Sequence, residues 1–218
     1  MATTQDAFKT TERSELSQTE DALLRMALRS RLNLQEASWK QLATCARRIS
    51  VPQGDSVFVP GNRPTRAFMI GHGAIRVWRR DAIDGELTSQ FFSVGSFASP
   101  WAEFSGDQPL QHYWTALTDL SGWVFDLQKL QQLAGENHEL QAVLLILAND
   151  YVGSLHRRMD AVSRRNATEK LECLYKSHRD LVGVVSQAAL ASYLGVTRET
   201  LNRINSKRMK EKAGQISL

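Results

Sequence analysis

The residues best suited to chemistry lie near the end of the chain, at residues 187–206, QAALASYLGVTRETLNRINS. Several polar side chains here recur at steps of three and four, so they share one face of a helix. They are Arg198, Glu199, Asn202, Arg203 and Ser206. Arginine can donate two hydrogen bonds to guanine O6 and N7, and a carboxylate can accept one from cytosine N4. Because a glutamate would repel phosphates, Glu199 on this face indicates contact with DNA base edges.

The remaining residues of this segment predict two helices joined by a short turn. Ala191 is small where the second helix must approach closely, and Gly195 stands where the chain needs a left-handed conformation. Thr197 is a suitable N-cap for the second helix. The apolar side chains that would pack the two helices together are Leu190, Leu194, Val196, Leu201 and Ile204. The pattern predicts a helix-turn-helix, whose second helix enters the DNA major groove.

Phosphate contacts are expected at both ends of this motif. Ser186 and Gln187 would begin the first helix, whose N-terminus attracts anions, and Lys207 follows the base-contacting face. Glu199 and Arg203 could instead form an i,i+4 ion pair, which stabilises a helix by only about 0.3–0.5 kcal/mol. Both roles are compatible, because that pair would also orient Arg203.

Charge is distributed unevenly along the 218 residues. Residues 1–156 carry 14 Lys and Arg against 17 Asp and Glu, and residues 157–218 carry 13 against 6. The front is therefore −3 and the end +7, in agreement with the total of +4. A basic end on a mildly acidic body indicates that only the end contacts phosphates. The alternative is a solvated basic face without a partner.

Composition excludes several classes of protein. No apolar run is long enough to span a membrane, and the polar start of the chain is not a secretory signal. The two cysteines, Cys45 and Cys173, cannot supply a multi-cysteine metal site or a disulfide framework. We therefore expect a cytoplasmic protein.

The residues before the motif predict an α+β chain. Residues 1–20 read as a flexible lead-in, and glycine-punctuated short strands between residues 51 and 125 suggest an antiparallel barrel or sandwich. The expected domains are residues 21–135, a helix at 136–163, and a DNA-binding domain at 164–218.

Residues 137–162 predict one long amphipathic helix. Its apolar stripe comprises Leu140, Val143, Leu144, Leu147, Tyr151, Leu155, Met159 and Val162. The stripe could cover the chain's own β domain or pack against the same helix of a second subunit. The helix is longer than a small β domain needs for cover, which favours a homodimer.

The chain as a whole resembles the cyclic-AMP receptor/FNR (Crp/Fnr) family of bacterial transcription regulators, over about residues 20–207. The stretch VPQGDSVFVPGNRPTRAFMIGHGAIRVW, with the turns Asp84-Gly85-Glu86 and Gly95-Ser96-Phe97, resembles the family's β-roll. Residues 137–162 resemble its dimerisation helix. The family's recognition pattern R-E-T-x-x-R-I stands as Arg198, Glu199, Thr200, Arg203 and Ile204.

The resemblance implies a cyclic-nucleotide-binding-like β-roll (a double-stranded jelly roll), a dimerisation helix and a C-terminal helix-turn-helix domain. By the same resemblance, Arg198, Glu199 and Arg203 would contact bases and Thr200 a phosphate. It implies a homodimer on an inverted-repeat operator, with RNA polymerase as a further partner. After Arg208 the sequence is short and polar, so the family's β-hairpin wing is expected to be absent or reduced to a basic tail.

The sensing half departs from the family pattern. Where nucleotide-binding members have Gly-Glu and Arg-Ser/Thr pairs, this chain has Ser99-Pro100 and Gln111-His112. A buried phosphate without a cation is poorly compensated, so cyclic AMP is not expected to bind. A small-molecule effector stays open, and no cofactor is predicted. A haem would need an axial ligand, for which His72 and His112 are the candidates.

Two other classes of protein are alternatives to a DNA-binding regulator. A cupin-like enzyme needs an H-x-H pair with further metal ligands, and the β region offers only His72 and His112. A protein-binding module with a degenerate β-roll would not need the polar face that includes Arg198 and Arg203. The sequence therefore favours a non-enzymatic DNA-binding regulator.

Overall fold

The computed structural model describes residues 16–82, 85–181 and 183–216, with side chains except those of Asp180 and of residues beyond Lys207. Most of the predicted lead-in, residues 1–15, and Asp84 of the predicted turn lie outside these ranges. The chain divides into two compact units. The first unit contains residues up to Val77 and Phe91–Ser154, and the second contains Trp78–Gln90 and the chain from Leu155 onward.

The described helices and strands alternate in a mixed order. The helices are α1 (Gln18–Leu28), α2 (Glu36–Cys45), α3 (Trp101–Ser105), α4 (Leu127–Glu136), α5 (His138–Val162), α6 (Ala167–Ser177), α7 (Gln187–Leu194) and α8 (Arg198–Ile216), with a 3-10 turn at Arg179–Leu181. The strands are β1 (Ala46–Val51), β2 (Ser56–Phe58), β3 (Arg66–His72), β4 (Ile75–Asp81), β5 (Gly85–Phe92), β6 (Phe97–Ala98), β7 (Tyr113–Ala116) and β8 (Leu120–Asp126).

The strands form two four-stranded sheets, in the orders β1-β8-β3-β6 and β2-β7-β4-β5. β8 pairs antiparallel with both β1 and β3, so that Phe125 lies opposite Ala46 on one side and Ala67 on the other. Gly122 sits between these neighbours because a Cβ there would collide with the carbonyl oxygen of Met69. This mixed architecture with antiparallel sheets confirms the predicted α+β class.

Two apolar clusters hold the first unit together. One joins α1, α2, α4 and the first part of α5 to one face of the first sheet, with Leu24, Leu42, Phe125 and Leu130 essentially inaccessible. The other lies among the strands and is built on Phe68, Phe92, Trp114 and similar side chains. The period-two alternation of the strands produces these two environments, because successive side chains point to opposite faces.

The long helix is present as predicted, but its apolar stripe is divided between two roles. Leu140, Val143 and Leu147 are fully buried in the first cluster, so the early half of the stripe covers the chain's own β domain. The placement of Leu147 in a dimer seam is therefore wrong. Leu155 and Met159 of the stripe, together with Leu145 and Val152 beside it, are open in the single chain, with exposures of 38%, 64%, 60% and 45% respectively.

A half-buried ion pair fixes α5 within the first unit. Arg31 donates to both carboxylate oxygens of Asp150 at 2.8 and 2.6 Å. Asp150 also accepts from the backbone N–H of Phe97 at 2.8 Å, at the start of β6. Such charge-assisted bonds are among the stronger polar contacts in proteins. No helix among the described residues is both long and apolar enough to cross a membrane.

Candidate nucleic-acid interface

The predicted first helix of the motif forms as α7. Its N-cap is Ser186, whose hydroxyl oxygen accepts from the backbone N–H of Ala189 at 3.2 Å. Leu190, Ala191 and Leu194 are buried, as the pattern predicted. Ser186 remains exposed, so its hydroxyl proton and the open N–H groups of the first turn face solvent.

The connection after α7 has the geometry expected of a glycine C-cap. Gly195 adopts φ 62° and ψ 45°, in the left-handed region. The N–H of Val196 donates to the carbonyl of Ala191 at 3.0 Å, and the ammonium of Lys170 donates to the carbonyl of Leu194 at 3.2 Å. These bonds satisfy carbonyls at the helix end and fix the point at which the chain turns toward α8.

The second helix starts immediately after Thr197. The hydroxyl of Thr197 accepts from the backbone N–H of Thr200 at 3.2 Å and donates to the Thr200 hydroxyl at 3.0 Å. Thr200 therefore keeps its own hydroxyl proton to donate. Leu201 is fully buried behind the helix, which fixes the rotation of α8 about its axis.

The predicted base-contacting face of α8 is open to solvent. Its exposed residues are Arg198, Glu199, Asn202, Arg203, Ser206 and Lys207. Among these described side chains Glu199 and Arg203 form no ion pair, so the alternative of a purely structural pair is not realised. A row of arginine, carboxylate and amide groups on one helix face can make the paired hydrogen bonds that distinguish bases.

Gln187 takes a structural contact that the sequence did not indicate. Its side-chain oxygen accepts from the side-chain amide of Asn205 at 2.9 Å. The bond joins the first residue of α7 to the middle of α8 and helps to hold the angle between the two helices. Its amide nitrogen remains a donor for the predicted phosphate contact.

An aromatic cluster supports α7 from behind. Tyr193 is almost inaccessible, and burial raises its pKa to about 12. The buried ring of His178 meets it edge-on at 6.5 Å, and the guanidinium of Arg158 lies 5.9 Å from the ring centre. Sequence reasoning missed these residues, because they belong to separate segments whose proximity no local pattern records.

The outer part of the β4–β5 hairpin belongs to the same unit as α7. The hydroxyl of Ser192 accepts from the backbone N–H of Thr88 at 2.8 Å and donates to the carbonyl of Glu86 at 3.0 Å. Sequence analysis assigned residues 21–135 wholly to the β domain and found no sign of this contact. In the sequence, Ser192 looks like any other polar residue of a helix, so nothing indicates that it contacts β5.

In the first unit, aromatic rings pack closely around Trp114. Trp114 stacks on Phe92 and meets Phe58 edge-on, both with ring centres 5.4 Å apart. Asp107 is exposed and accepts a hydrogen bond from Arg63. His72 ends β3 in an exposed position, and His112 precedes β7.

After the base-contacting face, α8 continues as a helix to Ile216. The chain therefore has further helical turns where the family's wing was expected to be absent or reduced to a basic tail. Lys210 and its neighbours beyond Lys207 have side chains outside the described residues.

By sequence, neither a family model nor a curated protein matches this chain. By structure it is similar to FixK2 from Bradyrhizobium japonicum, with a TM-score of 0.63 and 18% identity over 77% of this chain and 86% of that one. A putative Crp/Fnr-family transcriptional regulator from Eubacterium rectale has a TM-score of 0.62 and 13% identity over 82% and 85% of the two chains.

A third similar structure is TTHA1359, a Crp/Fnr-family transcriptional regulator from Thermus thermophilus. Its TM-score is 0.55 and its identity 18%, over 76% of this chain and 87% of that one. The chain thus has the fold of Crp/Fnr transcription regulators, as the sequence resemblance implied.

Proposed function

We propose that this chain is a transcription regulator of the Crp/Fnr type, which binds an inverted-repeat operator as a homodimer. The observation that carries the proposal is the exposed face of α8. Arg198, Glu199 and Arg203 lie there together on a helix whose rotation is fixed by the buried Leu201. A helix presented in this way fits the major groove, where each good base contact discriminates by about 1–3 kcal/mol.

The roles of the neighbouring residues follow from their positions. Thr200, Ser186 and the amide of Gln187 would donate to phosphates at the edges of the groove, and Lys207 would add a charge contact. Such contacts set the register of the protein on DNA, whereas the α8 face selects the sequence. The net charge of +7 from residue 157 onward favours association with any duplex.

Dimerisation would use the open row on α5. Leu145, Val152 and Met159 are spaced by seven residues, and Leu155 falls between two of them at coiled-coil spacing. This is the a/d arrangement of two helices packed along a shared seam. α5 has 25 residues and is about 37 Å long, which gives the seam several turns of contact.

The proposal also covers what the protein does not do. A regulator of this kind is not an enzyme, works in the cytoplasm, and contacts RNA polymerase. A small uncharged effector in the aromatic stretch around Trp114 is compatible with regulation.

The test is a selection from random duplex DNA with the purified full-length protein. We expect an enriched inverted repeat whose half-site centres lie about 34–36 Å apart, one helical turn of DNA. Enrichment of a single asymmetric site, or of no sequence at all, would overturn the proposal. A selection with Arg198→Ala/Arg203→Ala protein is the matched control and should lose the enriched half-site.

A further inference from the structure

The hydroxyl of Ser192 makes an unusual pair of contacts for a helix residue. Serine within a helix commonly bonds to a carbonyl of its own preceding turn. Here the hydroxyl instead joins two main-chain groups of β5, accepting from Thr88 N–H at 2.8 Å and donating to Glu86 C=O at 3.0 Å. The Ser192 hydroxyl thus acts both as donor and as acceptor toward a segment 104–106 residues away in sequence.

Glu86 C=O and Thr88 N–H are the groups to which a further strand would hydrogen-bond if it were added beside β5. β5 is the edge strand of its sheet. Glu86 C=O and Thr88 N–H flank one residue and point to the same side, as they would toward a parallel neighbour. Ser192 therefore occupies the place of a strand partner and closes part of an open edge.

The two halves of the contact differ in burial. The bond to Glu86 C=O is exposed, whereas Thr88 has an exposure of 0%, so its N–H is the group that solvent reaches least readily. A buried donor left unsatisfied is strongly unfavourable. On the other side of the contact, Tyr193 and Leu194 are buried beside Ser192.

We propose that the outer β4–β5 hairpin is a working part of the DNA-binding unit, and that Ser192 is the positioning residue that fixes α7 to it. The inference rests on the proposed function and deepens it. α8 follows α7 after only Gly195–Val196–Thr197, so the placement of α7 sets the placement of the base-contacting face. β5 thereby supports the helix-turn-helix from a distant part of the sequence. After its base-contacting face, α8 continues as helix.

The experiment compares wild-type protein with Ser192→Ala, using the operator obtained from random DNA and a scrambled duplex of equal length. Loss of the contact lets α7 populate other positions, and only the competent fraction binds the operator tightly. We expect Ser192→Ala to weaken operator binding by about three- to tenfold, which corresponds to one ordinary hydrogen bond. Binding to the scrambled duplex depends on charge and should stay within about twofold.

Hydrogen exchange at the Thr88 amide tests the contact without DNA, and it should be faster in Ser192→Ala than in wild type. Ser177→Ala is the matched control, because the Ser177 hydroxyl donates within its own helix, to Cys173 C=O at 3.0 Å. The inference fails if Ser192→Ala binds the operator as wild type does, or loses affinity equally for both duplexes. If wild-type protein shows no preference for any sequence, the proposed function fails instead, and the exchange measurement still decides the contact.

Discussion

Mutations of two leucines on the same helix, Leu145 and Leu147, should affect different properties. A mutation of Leu145 should weaken the dimer, and a mutation of Leu147 should lower the stability of the folded chain. Leu147 is fully buried in the chain's own core, whereas Leu145 has an exposure of 60%. Burying a whole leucine contributes about 1.5–3 kcal/mol, so burying the exposed part of Leu145 contributes about 1–2 kcal/mol per subunit. Since the residue occurs twice across a symmetric seam, Leu145→Asp should cost the dimer about 2–4 kcal/mol before any cost of burying the charge.

That loss corresponds to a dimer dissociation constant weaker by a factor of about 30 to 1,000. Sedimentation equilibrium over nanomolar to micromolar protein measures it directly, with Gln132→Asp on the exposed face of α4 as the control. Leu147→Ala should instead lower the free energy of unfolding by about 2–5 kcal/mol in a denaturant titration. The reasoning is refuted if Leu145→Asp leaves the dissociation constant unchanged, or if the wild type is monomeric at micromolar concentration.

Further predictions concern DNA binding by Arg203 and Lys207 and the reactivity of the two cysteines. Arg203→Ala should cost about 1–3 kcal/mol of operator binding and relax selection at one base pair per half-site, whereas Lys207→Ala should weaken all duplexes and lower the salt slope by about 1. Equal loss on operator and random DNA for Arg203→Ala, measured by fluorescence anisotropy, would remove Arg203 from base recognition. Cys45 is only 5% exposed, and its burial raises the pKa of its thiol. Iodoacetamide should therefore modify Cys173 first in native protein, which mass spectrometry of peptides can show. Faster modification of Cys45 would contradict the packing of α2.

Local patterns predicted the local parts of the interface. Gly195 was identified because a left-handed helix end favours glycine, and Thr197 because an N-cap favours a short hydroxyl side chain. Both positions have the predicted geometry. These signals are readable because cause and effect lie within a few residues of one another.

The helix α5 shows where pattern reading stops. A period near 3.6 identifies apolar residues but not which of two neighbouring rows meets the chain's own core. Leu147 and Leu145 are both apolar, and only the position of α2 and the first sheet decides between them. The contacts of Ser192 and Asn205 were missed for a related reason, because each depends on a segment that the fold brings close.

The last prediction concerns cyclic AMP and cyclic GMP, which we expect not to bind. Both ligands carry a full negative charge, and a buried phosphate needs a fixed cation. Between residues 97 and 114 the charged residues are Glu103 and Asp107, both of the wrong sign. The guanidinium of Arg79, a candidate to reach inward, lies 3.8 Å from the carboxylate of Asp81 and is 51% exposed.

The apolar interior around Trp114 is filled by stacked rings, since Phe92 and Trp114 lie nearly parallel with centres 5.4 Å apart. Opening this stack would expose large apolar surfaces, which adds to the electrostatic cost of the phosphate. Isothermal titration with each nucleotide up to millimolar concentration should therefore show no saturable heat. Saturable binding tighter than about 100 μM, which is about −5.5 kcal/mol, together with a gain in operator affinity would contradict this prediction.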